Sequence, residues 1–217
     1  MVAAGLAQVF DMDGVIVDSM PVHTRAWEIY LDRLGIRCED LEARMHGRRN
    51  DEIVADFIDS QLPPDEIQGH GAAKEQLYRE LIRPELEARL VPGVVEFLNR
   101  HAGESLAVAS NAEPANVEFV LEGVGIRSLF KVVVDGMQVE NPKPHPDVYL
   151  RAADLLGIVP KDCIVFEDSP AGVQAARRAG MRVVGVETHI RLDGVDIRIA
   201  NFSDPELERW LSEQSPA

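Results

Sequence analysis

The sequence predicts an α/β protein: a Rossmann-like doubly wound parallel sheet, interrupted by an inserted bundle of helices. Three observations carry that expectation. Short β-branched or apolar runs alternate with stretches of helical spacing. The apolar runs are nearly continuous, as strands buried on both faces are. One stretch of about 70 residues after the first run shows helical spacing only.

Five runs read as strands, at residues 7–10, 106–109, 131–134, 164–166 and 182–186. Between them, Val94, Val95, Phe97 and Leu98 mark one helix, and Val117, Val120, Leu121 and Val124 the next. Val148, Leu150, Ala152, Leu155 and Leu156 mark a third. A fourth is expected over 170–179, with Ser169 as N-cap, Pro170 at the first helical position and Gly180 just past the end. A short helix over 205–211 closes the chain.

The insert reads as helices over 22–34, 51–58 and 65–90, with Pro84 kinking or breaking the last. Ala26, Trp27, Tyr30 and Leu34 share one side of the first, so Trp27 and Tyr30 are expected in the core of that domain. The expected division is therefore 1–19 with 90–217 as the sheet domain and 20–89 as the helical one. With 217 residues the chain is long enough for one domain carrying a large insertion, or for two small domains.

Composition narrows the partners. A net charge of −15 repels nucleic-acid phosphates and anionic membranes, so neither is expected as a partner. No apolar run approaches the roughly 20 residues of a membrane helix, and residues 1–10 lack the basic start and cleavage pattern of a signal peptide. Cys38 and Cys163 read as reduced thiols of a cytoplasmic protein. None of the six histidines pairs with Asp, Glu or Cys at a zinc-ligand spacing.

In an open parallel sheet, ligands bind beyond the carboxyl ends of the strands. There the sequence places Asp11 and Asp13, Ser110 and Asn111, Asp135, and Glu167 with Asp168. Any one of these could simply begin a turn or cap a helix. Several carboxylates pointed into one crevice would instead repel one another and need a cation, and an all-oxygen donor set suits Mg²⁺. Lys143, between Pro142 and Pro144, offers a pre-placed ammonium. Asp135-Gly136 reads as a structural turn, and Asp18 and Ser19 as hinge and cap residues.

The ordered segments Asp11-Met-Asp-Gly-Val-Ile-Val-Asp-Ser19, Val108-Ala-Ser-Asn111, Pro142-Lys-Pro144 and Ile164-Val-Phe-Glu-Asp168 resemble the four motifs of the haloacid dehalogenase superfamily. The helical insert is similar to the cap of the subgroup that holds β-phosphoglucomutases, phosphoglycolate phosphatases and small sugar-phosphate phosphatases. The resemblance implies an aspartyl-phosphate mechanism. Asp11 would be the nucleophile, and Asp13 the acid and then the base. Lys143 and Ser110 would hold the phosphoryl oxygens, with Asn111 beside the substrate. Mg²⁺ would be held by Asp11, the backbone carbonyl of Asp13 and Asp168, with Glu167 beside it or bound through water.

It also implies that cap residues select the substrate; His23, Gly47, Arg48, Arg49 and Lys74 are the candidates. Mutases of the subgroup carry a lysine just before the loop glycine and an arginine three residues after it. Here His46 and Asn50 stand at those places, while Lys74 matches a further lysine of the family. The expected activity is Mg²⁺-dependent hydrolysis of a small phosphorylated metabolite, a sugar phosphate by class. A β-phosphoglucomutase-like mutase is the first alternative, and a non-catalytic or receiver-like phosphoacceptor protein the second.

Overall fold

The computed structural model of the protein describes residues 5–45 and 48–214. Its chain divides into two compact units, one holding the residues up to Asp18 and from Arg89 onward, the other Ser19–Ala88.

The first unit is built on six strands: β1 Ala7–Phe10, β2 Ser105–Ala109, β3 Val132–Val134, β4 Cys163–Glu167, β5 Arg182–Val186 and β6 Ile197–Ile199. They lie in the order β3-β2-β1-β4-β5-β6, every neighbouring pair parallel. The chain steps outward one way from β1 and the other way from β4. The strand order reverses between those two, which is where a doubly wound sheet opens a crevice.

Five of the strands match the sequence reading; β6 does not appear in it. Ile197-Arg198-Ile199 is only three residues long, and at a sheet edge Arg198 stays exposed, so no continuous apolar run betrays it.

Strand periodicity explains how both faces are covered. Ala7 and Val9 of β1, Ala107 and Ala109 of β2 and Val165 of β4 point to one side. There they pack with Val148, Tyr149, Ala152, Val173 and Ala176. These last belong to two helices that in chain order are α7 Asp147–Leu156 and α8 Pro170–Arg178. Phe10 and Phe166 point to the other side, stacked at 4.4 Å between ring centroids. Phe97 of α5 Val94–Arg100 and Phe130 meet Phe10 edge-on at 6.2 and 6.0 Å. The helices α6 Pro114–Val124 and α9 Pro205–Ser212 complete this unit.

Among its described residues the second unit holds no strand, and its α-helices are α1 Met20–Arg33, α2 Leu41–Met45, α3 Asn50–Phe57 and α4 Pro64–Ile82. Trp27, Leu31, Leu41, Ile53, Val54 and Phe57 form its core, with Tyr30 packed against them. The helix expected over 65–90 ends at Ile82, and two 3₁₀ turns, Arg83–Glu85 and Glu87–Arg89, follow around Pro84. A proline cannot donate the backbone hydrogen bond that an α-helix needs there.

Candidate active site

The register of β1 on β4 sets Phe10 opposite Phe166, so the residues that follow them, Asp11 and Glu167, emerge side by side. The Asp11 N–H still bonds Phe166 O at 3.0 Å, which extends the sheet into the site. One carboxylate oxygen from each of Asp11, Glu167 and Asp168 lies within 4.8 Å of the others, and all three residues are buried. Lys143 enters from the turn between β3 and α7. Its Nζ lies 2.9 Å from Asp11 Oδ1 and donates to Glu167 Oε1 at 2.8 Å. The first contact is an ion pair, and among the described residues no other donor reaches the buried Asp11 Oδ1.

Glu167 is completely buried and fully engaged. Its Oε1 accepts from Lys143 and from Tyr149 OH at 2.8 Å. Its Oε2 accepts from the N–H and hydroxyl of Ser169 at 2.8 and 3.0 Å. Ser169 in turn caps α8, its Oγ accepting from Gly172 N at 3.1 Å. A side chain at Gly172 would overlap the Glu167 carboxyl, and one at Gly14, whose φ is +77°, would overlap that of Asp168.

The charges divide these acids. Burial lifts Asp11 to about 7, reinforced by Glu167 and Asp13 and opposed by Lys143. Burial, then Glu167 and Asp11, holds Asp168 well above the usual carboxylate range. Burial also opposes ionisation of Glu167, but Lys143 and the hydrogen bonds outweigh it and keep Glu167 low. Burial would depress Lys143, yet Asp11 and Glu167 raise it above its ordinary value. The result is one fixed ion pair, Lys143 with Glu167, beside two acids that resist full ionisation. A hard divalent cation fits this donor set: the ligands are oxygens, and three carboxyls carry more negative charge than one lysine balances.

The other expected residues divide between the two units. Ser110 is buried at the end of β2; its Oγ accepts from Ala112 N at 3.0 Å, which leaves its proton to donate. Asn111 has a task the sequence did not indicate, its Oδ1 accepting from the backbone N–H of Lys143 at 3.1 Å. Asp135 accepts from Met137 N and Gln138 Nε2 at 2.9 and 2.6 Å, the structural turn that was expected.

In the helical unit, Lys74 is buried. Its Nζ donates to Glu75 Oε1 at 2.8 Å and sits 2.7 Å from Nδ1 of His23, whose ring stacks on Tyr78. Asn50 Nδ2 donates to the same Glu75 oxygen at 2.6 Å. Arg48 is held away from that cluster by Asp56 at 2.8 Å and by the carbonyls of Arg44 and Glu52. Arg49 stands at the N-cap of α3, with Asp51 3.9 Å from its Nε. Gly47, like His46, lies outside the described residues. Tyr149, Gly172 and the grip of Ser169 on Glu167 escaped the sequence reading. The one available signal was the pair of small residues, Ser169 and Gly172, spanning the first turn of a helix just after two acids.

A parallel sheet whose switch point holds a lysine among buried carboxylates belongs to the open α/β proteins that bind a ligand at that crevice. The chain belongs to the haloacid dehalogenase-like hydrolases: the family model of that description matches residues 7–180. It is 35% identical over 187 residues to a fructose-1-phosphate phosphatase of Escherichia coli, covering 84% of this chain and 96% of that one. It is 29% identical over 208 residues to the β-phosphoglucomutase of Bacillus subtilis, covering 93% and 92%. Among solved structures it is similar to CbbY from Rhodobacter sphaeroides in complex with phosphate, with a TM-score of 0.77 at 28% identity over 91% of this chain and 95% of that one. These matches place the chain with the β-phosphoglucomutase-like members of the superfamily. No helix among the described residues is long and apolar enough to cross a membrane.

Proposed function

We propose that the protein is a Mg²⁺-dependent phosphatase that hydrolyses a small sugar phosphate through an aspartyl phosphate on Asp11. The observation that carries this reading is the Asp11 carboxylate itself: buried, with Oδ1 2.9 Å from an ammonium and, among the described residues, no other donor upon it. An unsolvated carboxylate oxygen beside a fixed positive charge is suited to attack a phosphorus centre.

Asp11 attacks phosphorus and the ester oxygen departs, taking the proton of Asp13. Asp13 then removes a proton from water as that water attacks the phosphoryl group, releasing inorganic phosphate and restoring Asp11. Lys143 and the free proton of Ser110 neutralise the transferring oxygens. Glu167 has all four of its bonds made, so its part is to hold Lys143 and not to bind metal directly. Asp11, Asp168 and the Asp13 carbonyl would hold Mg²⁺, which offsets charge on the phosphoryl oxygens when bound.

Hydrolysis is favoured over the mutase alternative by the state of the helical unit's cations. Lys74 is neutralised by Glu75, Arg48 is bound to Asp56, and Asn50 stands where the mutases carry an arginine. Phosphorylated hexoses, hexitols and glycolate should be incubated with the enzyme and Mg²⁺, with released phosphate read out. In the same plate, glucose 1-phosphate with a bisphosphate primer is scored for isomerisation. We expect phosphate release from a hexose or hexitol phosphate, and its loss in Asp11→Asn with the circular dichroism unchanged. Isomer formation outrunning free phosphate makes the enzyme a mutase, and wild-type turnover by Asp11→Asn removes Asp11 as the nucleophile.

A further inference from the structure

The loop that follows β5 reaches back to the first motif at two points. Thr188 Oγ1 donates to the carbonyl of Gly14 at 2.7 Å. The next residue, His189, places Nε2 2.6 Å from Asp18 Oδ1, and since a carboxylate only accepts, that nitrogen carries the proton. The two acceptors are the ends of one tight turn. Within it Gly14 N bonds Val17 O at 2.7 Å, and the N–H groups of Ile16 and Val17 bond Met12 O at 2.8 and 3.1 Å. The chain leaves for the helical unit just after Asp18, whose own N–H bonds the returning chain at Arg89 O, 2.7 Å away.

The loop is itself anchored. Glu187 N donates to Ile199 O on β6 at 2.8 Å, and Glu187 Oε1 accepts from Leu192 N at 2.9 Å and pairs with Arg198 Nε at 3.2 Å. A rigid support therefore runs from β6 through Glu187 to the turn that begins at Asp13.

We infer that Glu187-Thr188-His189 is a strap on the first motif, and that Thr188 is a positioning residue for the acid Asp13. Its hydroxyl fixes the plane of the Gly14–Val15 peptide, one residue beyond Asp13. The same Gly14 carries the space into which the Asp168 carboxyl fits. A turn held at one end only by its own amides can rotate about Asp13, and proton transfer is sensitive to that placement. His189 closes the other end.

The inference rests on Asp13 acting as the acid, and its test uses the leaving group to show it. An alkyl phosphate needs a proton on its departing oxygen, whereas p-nitrophenolate leaves without one. Thr188→Val keeps the shape and removes the hydroxyl; Thr188→Ser keeps the hydroxyl; Thr188→Ala serves if the valine variant does not fold. In the full chain with Mg²⁺, kcat/KM of Thr188→Val should fall about tenfold on the alkyl phosphate and less than about threefold on p-nitrophenyl phosphate. Thr188→Ser should restore the ratio. Hydrogen exchange of the amides from Gly14 to Val17 should quicken in Thr188→Val and not in Thr188→Ser. Equal losses on both substrates, or no loss, overturn the positioning role. If the wild type turns over neither ester, the phosphatase reading fails instead, and unchanged exchange in Thr188→Val would then remove the strap as well.

Discussion

At the scale of single residues, the site depends on what is missing as much as on what is present. Gly172 lies in the first turn of α8, where alanine would ordinarily stabilise a helix by about 0.5–1 kcal/mol. Here a methyl group would overlap the Glu167 carboxyl, which is tied to Lys143, Tyr149 and Ser169. Displacing it breaks a buried ion pair, so the sign of the substitution reverses. Gly172→Ala is expected to lower stability by about 2 kcal/mol and activity by more than about tenfold, read from urea midpoints and phosphate release. A stabilised, fully active variant would mean that Glu167 has room to move and that its bonds do not place Lys143. The four acids and the lysine were legible in the sequence because they end strands or sit between prolines. The four-bond cradle of Glu167 was not, since a tyrosine from α7 and the backbone amide of Ser169, the N-cap of α8, meet there only after the chain has folded.

At the scale of elements, α1 and α4 of the helical unit share a buried charge cluster of a kind helical periodicity cannot show. Lys74 falls on the buried side of α4, where an apolar residue would be expected, and is tolerated because Glu75, Asn50 and His23 surround it. Burial alone would raise Glu75, but Lys74 and His23 outweigh it and bring it down to about 2. A carboxylate whose folded value is depressed adds stability above its unfolded value, near 4.5. That stability is lost as the pH falls through about 2. Glu75→Gln leaves a buried ammonium without its counter-charge, so it should cost about 3 kcal/mol at pH 7. The gap from the wild type should narrow at pH 3, where the wild type has lost part of that advantage. Urea unfolding followed on Trp27, in a Trp210→Phe background, reads this unit. A gap that stays constant between pH 7 and pH 3 would show that Glu75 is not the group concerned. Sequence patterning found α1, α3, α4 and the tryptophan core, because those follow a period of 3.6, but not the five-residue α2. It anticipated the break at Pro84, where one proline decides the outcome, and missed β6, a three-residue edge strand.

At the scale of the whole molecule, the chain carries net charge −15 yet is read as binding an anionic ester, so the electrostatics of its first unit must change when a cation enters. Asp11, lifted to about 7 by burial, and Asp168, held well above the usual range for the same reason, retain protons that the unfolded chain releases near pH 4. Between those values the folded state binds more protons than the unfolded one, so Asp11 favours folding at low pH and loses that contribution as the pH rises through about 7, and Asp168 acts in the same direction. A divalent cation competes with the same protons. Its stabilisation should therefore be small at pH 5.5, where Asp11 holds its proton, and larger at pH 8, where Asp11 has released it. With Mg²⁺ at ten times its dissociation constant, the gain at pH 8 is about 1.4 kcal/mol, or about 3–5 °C in melting temperature for a chain of this size. Calorimetry at both pH values, with and without Mg²⁺, measures it, and Asp168→Asn should remove most of the increment. An increment equal at both pH values would place the cation somewhere other than between Asp11 and Asp168, because no other arrangement of these acids ties its binding to loss of their protons.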